Sequence, residues 1–385
     1  MSTILPFILF LTVFFTLYGL LHYYFYRKLN SAIILDSFYY KLILVLLFFL
    51  LIAPILVNVS IRLRFHLIST IIAYPSYIWM GALFLFFSIH LLIDIYEIII
   101  YIFSRIFSKA LLKLRPANKP SLFITCLLVM GILFYGGFEA SNIGVEKVLL
   151  KTQKLPPESH KLRIVQISDI HFSNINSVRL AKKIVDKIKG LHPDIVVSTG
   201  DFIDRGLKEK EKVAALFRSI KAPYGKYATT GNHEFYAGIT ESVKFIEKAG
   251  FRMLRNEGIT AGDMVTIIAV DDPAAKRFGL DSSVSEDEIL KRFSTKKLTI
   301  LLKHQPRINK RSVGSFDLQL SGHTHNGQIF PFTLITKIFF PYNTGLFRVG
   351  KHSHLYVSRG TGTWGPPVRF LSPAEVTLIE FQREE

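Results

Sequence analysis

The sequence predicts a multi-helix transmembrane region over residues 1–138, a tether over 139–160 and an α/β domain over 161–385. Three observations lead there. Phe, Leu and Ile fill 4–26, 42–59, 71–92 and 122–138 almost without charge, and each run approaches the ~20 residues that cross a bilayer. From residue 161 onward, short β-branched runs alternate with helically spaced apolar residues, the pattern of an α/β sheet protein. Several of those runs end in Asp, His, Asn or Gly, where such proteins build their sites.

The four apolar runs read as four membrane spans, because a buried core helix needs covering material that this stretch lacks. The first has no basic leader and no small-residue cleavage pattern, so it reads as an anchor. Between the third and fourth, Arg105, Lys109, Lys113, Arg115 and Lys119 interleave with Ile102, Ile106, Leu111 and Leu114, which predicts an in-plane amphipathic helix ended by Pro116. That loop and the first one, with Arg27, Lys28 and Lys41, are the basic ones, whereas the second holds only Arg62 and Arg64. Basic loops stay cytoplasmic. An even number of spans then puts the chain start and the α/β domain outside the cytoplasm, in a multi-pass protein of the cell membrane. The tether carries Lys154-Leu155-Pro156-Pro157.

In the second part, strands are expected at 162–168, 194–199, 226–230, 264–270, 298–303, 317–320, 355–358 and 375–381. Helices are expected at 178–191, 208–220, 240–249 and 285–293. Net charge is +18 overall, and 36 Lys and Arg face 24 Asp and Glu from residue 150 onward. The cations are dispersed, as in Lys182, Lys183, Lys187 and Lys189 on one helix, with no interleaved aromatic track. This favours a solvated face or anionic lipid headgroups over nucleic acid. The lone Cys126 excludes disulfides.

Five polar blocks carry the chemistry: Asp169-Ile170-His171, Gly200-Asp201, Gly231-Asn232-His233-Glu234, His304, and Gly322-His323-Thr324-His325. Singly, each His reads as a hydrogen-bonded core or surface group and each Asp as a helix cap. In this order, with two His-bearing one-residue spacings, they read as a two-metal site that cleaves phosphoesters. Seven residues are candidate ligands: Asp169, His171, Asp201, Asn232, His304, His323 and His325. Oxygen and imidazole donors together suit Zn, Mn or Fe, and the Asp201 carboxylate has two oxygens with which to bridge two divalent metal ions. Arg359, in a Gly-bearing loop, is open to two readings, a phosphate contact or an ordinary surface arginine.

These blocks, with Tyr356-Val-Ser-Arg-Gly360 beyond them, resemble the calcineurin-like metallophosphoesterases, whose pattern runs Asp-x-His, Gly-Asp-x-x-Asp, Gly-Asn-His-Asp/Glu, His, Gly-His-x-His. The likeness covers 162–381 and is nearest to the membrane-anchored branch, which includes transmembrane proteins with a metallophosphoesterase domain and phosphodiesterases similar to UDP-diacylglucosamine pyrophosphatase. It implies a sandwich of two mixed sheets flanked by helices. It also implies one metal on Asp169, His171, Asp201 and His325, and a second on Asp201, Asn232, His304 and His323. Catalysis would then rest on Asp201 as the bridge and His233 as the proton donor or phosphate ligand. Departures from the pattern at Asn326, Glu234 and Phe172-Ser-Asn174 bear on substrate preference.

The function expected is a membrane-anchored, metal-dependent hydrolase of a phosphomono-, phosphodi- or pyrophosphate ester carried on a lipid. The alternative is a non-catalytic membrane scaffold or sensor that keeps the fold, which loss of a ligand would favour. A transporter finds little support, since only Asp94 and Glu97 lie near a span.

Overall fold

The computed structural model describes residues 4–34, 36–173, 177–280, 284–293 and 296–384, and the chain divides into two compact units, one of the residues up to Gly137 together with Gly365–Val368, the other of Phe138–Trp364 together with the residues from Arg369 on. The first unit is helical: α1 (Ile4–Ala32), α2 (Ser37–Arg62), α3 (His66–Ile106) and α4 (Asn118–Ser141), with α4 running past Gly137. Among the described residues three helices are long and apolar enough to cross a membrane, Ser37–Arg62, Leu67–Ile106 and Asn118–Ser141, against four expected. The expected first span, 4–26, is helical as α1.

The in-plane helix expected around 102–114 is not a separate α-helix. Without Gly or Pro after Leu92, α3 continues to Ile106. A 3₁₀ turn follows at Lys109–Leu114, started by Ser108, whose Oγ accepts the Ala110 N–H at 3.2 Å. Both acids of α3 are compensated: Asp94 by Lys28 and by the Tyr24 hydroxyl at 2.6 Å, and Glu97 by Arg115 at 2.8 Å.

The second unit interleaves β1 (Gly144–Thr152), β2 (Lys161–Ile167), α5 (Ser177–Gly190), β3 (Ile195–Ser198), α6 (Lys210–Arg218), β4 (Lys226–Ala228), α7 (Asn232–Ala237), α8 (Ile239–Lys248), β5 (Arg252–Met253), β6 (Glu257–Ala261) and β7 (Val265–Ala269). It continues with α9 (Ala274–Arg277), α10 (Glu286–Phe293), β8 (Leu298–Leu302), β9 (Leu318–Ser321), α11 (Phe332–Phe339), β10 (Gly345–Arg348), β11 (His354–Val357) and β12 (Glu375–Arg383). One sheet has the order β1-β12-β2-β3-β4-β5 and the other β10-β11-β9-β8-β7-β6. Both are mixed: β2, β3 and β4 are parallel, as are β7, β8, β9 and β11, while β12–β2, β6–β7 and β10–β11 are antiparallel.

Strand alternation explains how one chain fills three layers. Leu162 and Ile164 of β2 meet Val265, Ile267, Ile300 and Leu302 of the opposite sheet, whereas Val165 and Ile167 face Ala181, Ile184 and Ile188 of α5. On the far side, Ile268 and Leu301 pack on Ile289 and Leu290 of α10. Sheets buried on both faces give unbroken apolar runs, which is why these strands are legible.

The segment read as a tether, 139–160, is in part a strand: β1 pairs in parallel with β12 from Gly144 opposite Glu375 to Thr152 opposite Arg383. It is an edge strand whose exposed face carries Lys147 and Lys151, with Glu146 half-buried on the other face, so its sequence lacks the apolar run that marks the inner strands.

Ile164 is fully buried between the sheets. Ile164→Ala is expected to destabilise the protein by about 2–5 kcal/mol. Urea or thermal unfolding of the purified chain checks this, with a shift of the unfolding midpoint as the readout.

Candidate metal centre

Every candidate ligand stands just past the carboxyl end of a parallel strand. Asp169 and His171 follow β2, Asp201 follows β3, Asn232 follows β4, His304 follows β8, and His323 and His325 follow β9. The sheet directions that bring these ends together are those of the parallel core strands in each sheet. The loops then turn sharply. Asp169, His171, Asp201, His323 and His325 have φ of 52°, 54°, 52°, 72° and 48°, a region that costs a side chain energy and is found where the surroundings over-determine the backbone. Those surroundings include Asp169 N–H to Gly200 O and His171 N–H to Asp201 O, both 3.0 Å.

The side-chain atoms form two clusters that share one oxygen. In the first, Asp169 Oδ1 is 3.3 Å from His325 Nε2, which is 3.1 Å from His171 Nε2, and His171 Nε2 is 3.7 Å from Asp201 Oδ2. In the second, His304 Nε2 is 3.2 Å from the same Asp201 Oδ2, 3.2 Å from Asn232 Oδ1 and 3.1 Å from His323 Nδ1. Donors about 2.0–2.2 Å from a cation stand roughly 2.8–3.6 Å from one another, so the spacing fits metal coordination.

The hydrogen bonds behind the imidazoles point the same way. His304 Nδ1 faces Thr199 O at 2.8 Å and His171 Nδ1 faces Asp204 Oδ1 at 3.2 Å. Donation at Nδ1 turns a bare Nε2 lone pair into each cluster. In the second cluster Asp201 Oδ2 and Asn232 Oδ1 add oxygen lone pairs. Carboxylate and amide oxygens facing imidazole nitrogens in a buried space need positive charge between them, from protons on the rings or from a cation. The donor set therefore fits divalent metal.

Charge is tuned to match. Burial alone raises the Asp201 carboxyl, but His304, His233 and His171 overcome it and hold the group well below its usual range. Burial, reinforced by His304, pushes His323 down to about 3. Burial pushes His325 down to about 4 against the pull of Asp169. Both are neutral imidazoles at ordinary pH, the form that ligates metal.

His233 is near the candidate ligands and is held differently. Its Nδ1 lies 2.5 Å from Asp204 Oδ1, and its backbone N–H donates to Asp201 Oδ1 at 2.8 Å. Burial opposes charge on this ring, yet Asp201 and Asp204 raise it to about 9. Asp204 thus orients both His171 and His233. It was missed as a site residue, although Gly-Asp-x-x-Asp places an acid three positions after Asp201.

Glu234 was missed as well. Its buried carboxylate accepts the backbone N–H of Asp201 at 2.9 Å, Phe202 at 2.7 Å and Gly231 at 2.6 Å, which ties the loop after β3 to the start of α7. Arg359 takes neither role open to it. Its guanidinium pairs with Glu375 at 2.6 Å and Glu146 at 2.9 Å. The arginine beside the clusters is Arg369, fully buried, with Nη2 donating to Gly362 O at 2.6 Å and lying 3.4 Å from His325 Nδ1. No sequence signal separates it from other arginines. Asn326 Oδ1 accepts from Asn343 Nδ2 at 2.7 Å, and Asn174 lies outside the described residues.

Residues 162–327 match the family model described as calcineurin-like phosphoesterase. The chain is 38% identical over 250 residues to an uncharacterized metallophosphoesterase of Aquifex aeolicus, covering 64% of this chain and 94% of that one. An uncharacterized metallophosphoesterase of Bacillus subtilis is 32% identical over 66% of this chain and 92% of its own. A transmembrane protein with metallophosphoesterase domain from Danio rerio is 31% identical over 66% of this chain and 62% of its own.

Close approach to the candidate ligand carboxylates makes glycine obligatory at 322 and 231. A Cβ at Gly322 would stand 2.1 Å from Asp169 Oδ2 and 2.0 Å from Ser168 Oγ, and one at Gly231 would stand 2.2 Å from Asp201 Oδ1. Gly322→Ala is therefore expected to displace the Asp169 carboxylate and lower bound metal to at most about half the wild-type content. Elemental analysis after metal loading and desalting checks it.

Proposed function

The chain belongs to the calcineurin-like phosphoesterase family of metal-dependent hydrolases, and from that premise we propose that it is a membrane-anchored, dinuclear phosphoesterase acting on a lipid-linked phosphomono-, phosphodi- or pyrophosphate ester. One observation carries the reading: two clusters of lone-pair donors converge on the single oxygen Asp201 Oδ2. Asp169, His171, Asp201 and His325 would hold one cation, and Asp201, Asn232, His304 and His323 the other. When bound, such a pair supplies charge neutralisation at the phosphoryl oxygens and acidification of the attacking water.

The remaining work falls to the chain. Asp204 fixes the His233 ring through Nδ1, which leaves Nε2 to carry the proton that the departing oxygen takes. Imidazolium is the form that can donate it, and Asp201 with Asp204 favours that form. All seven candidate ligands are drawn into the clusters, which argues against a scaffold that keeps the fold without turnover.

A lipid-linked substrate is supported by the apolar helices of the first unit and by relatives named as transmembrane proteins. A site on an anchored chain meets substrates in the bilayer at high local concentration. Orientation follows from the basic segment Arg105 to Lys119, which resists translocation. If α1 crosses as well as the three helices long and apolar enough to do so, the count is four and the phosphoesterase unit faces the extracytoplasmic side.

Hydrolysis of a nitrophenyl and an alkyl phosphodiester by the detergent-purified chain, with Mn, Zn and Mg compared, tests the activity. Asp201→Asn is expected to abolish turnover. His233→Ala should slow the alkyl ester about a hundredfold and the nitrophenyl ester much less. Equal losses would assign His233 to phosphate binding, and near-normal turnover in Asp201→Asn would remove the two-metal reading.

Orientation has its own test. Glu158 is exposed. A cysteine there, with Cys126 replaced by Ala, is expected to react with a membrane-impermeant maleimide in intact cells. Labelling only after lysis would place the unit in the cytoplasm.

A further inference from the structure

α11 is amphipathic the wrong way round for a helix on a water-soluble surface. Its two threonines face the protein: Thr336 is buried, and Thr333 Oγ1 donates to Asn326 O at 2.8 Å. Its apolar residues face outward, with Leu334 56%, Ile338 76% and Phe339 68% exposed and Ile335 beside them. Leu334 and Ile338, like Ile335 and Phe339, are four residues apart, so they form one continuous stripe. Surface helices of soluble proteins show the opposite arrangement, and an apolar patch of this kind marks a contact with a partner or a membrane.

Charge identifies the occupant. Of the nine Lys and Arg from Lys303 to Arg369, Lys303 pairs with Glu286, Arg359 pairs with Glu375 and Arg369 is buried, which leaves Arg307, Lys310, Arg311, Lys337, Arg348 and Lys351 exposed against a single acid, Asp317. Lys337 is exposed within α11 itself, and the Arg307 guanidinium lies over the Phe340 ring at 5.1 Å. A hollow of about 590 Å³ beside the helix is lined by Arg307, Ile308, Lys310, Phe339, Phe340 and Tyr342. Apolar walls with cationic rims match an acyl chain ending in an anionic headgroup. The bilayer is also the partner always at hand, because α4 ends at Ser141 and β1 begins at Gly144.

The stripe is coupled to the metal centre. Phe340, directly after α11, has its ring 5.1 Å from that of His323. Trp364, 55% exposed, has its ring 6.0 Å from that of His233 and exchanges two hydrogen bonds with Gln328, at 2.8 and 3.0 Å. An exposed tryptophan at such a rim suits the headgroup layer.

We propose that the outward face of α11 is a membrane-contact element in addition to the spans: Leu334, Ile335, Ile338 and Phe339 enter the interfacial layer of an anionic bilayer and hold the His323–His325 loop at headgroup level. The anchoring stands without any catalytic reading. Its consequence, that phosphoesters reach the centre from within the bilayer, rests on the function proposed above.

The test uses the full chain in nanodiscs of phosphatidylcholine mixed with phosphatidylglycerol. Cys126 is replaced by Ala, and a nitroxide is attached at Ile338→Cys or, as a second position on the stripe, Leu334→Cys. Glu288→Cys, at an exposed acid of α10, gives the aqueous reference. The ratio of oxygen to nickel-chelate accessibility should be at least about fivefold higher on α11 than at position 288. It should fall when phosphatidylglycerol is left out, and no change there overturns the assignment to an anionic surface. A ratio equal to that at 288 overturns the contact. Shielding from both quenchers also overturns it, in favour of a protein partner or a second copy. The label reads position and not turnover, so failure of the phosphoesterase reading leaves this outcome untouched.

Discussion

Asp201 directs Oδ2 toward His171 at 3.7 Å and His304 at 3.2 Å, while its Oδ1 takes the His233 backbone N–H at 2.8 Å. A nearly fully buried carboxylate in this position is costly unless positive charge or donors surround it. The fold supplies both, through imidazoles on one side and backbone amides on the other. Glu234 completes the arrangement by accepting the N–H groups of Asp201, Phe202 and Gly231, so the loops after β3 and β4 move as one piece. Because that carboxylate is fully buried and spent on the backbone, Glu where the family motif also admits Asp bears on loop geometry and not on substrate preference.

The sheets exist in this form because the clusters need strand ends from both of them. β2, β3 and β4 deliver Asp169, His171, Asp201 and Asn232, and β8 and β9 deliver the three remaining histidines. The two inner faces pack through Ile164, Ile267 and Ile300. Movement of one sheet against the other would pull His304 away from Asp201, so the apolar layer between them does electrostatic service as well. The left-handed turns at Asp169, His171 and Asp201 are tolerable only on such a rigid base.

Much of this was legible in the sequence, for a physical reason in each case. Strands such as Ile195–Ser198 and Leu298–Leu302 are buried on both faces and therefore read as plain apolar runs. The ligand blocks announce themselves because they combine rare residue types with glycine at close approaches such as Gly322. β1 was illegible because an edge strand with one open face carries Lys147 and Lys151 like any surface segment. Arg359 and Arg369 could not be told apart, since the difference between an ion-pair anchor and a buried carbonyl clamp lies in partners distant in sequence. The extent of α3 was underestimated because a window of pure hydropathy stops at Asp94, while a helix continues wherever its acids find Lys28 and Arg115.

α11 shows the same principle at the surface. Phe332–Phe339 is apolar enough to pass for a core helix, and only its orientation reveals that the core side is the threonine side. A helix turned this way in water would lose the burial of its largest side chains, so the bond that fixes it, Thr333 to Asn326, holds it against a hydrophobic penalty. That penalty vanishes in an environment that is itself apolar. Since the same helix is bonded to the loop bearing His325 and leads into the ring packed on His323, the bilayer contact proposed for α11 would act on the placement of both candidate ligands.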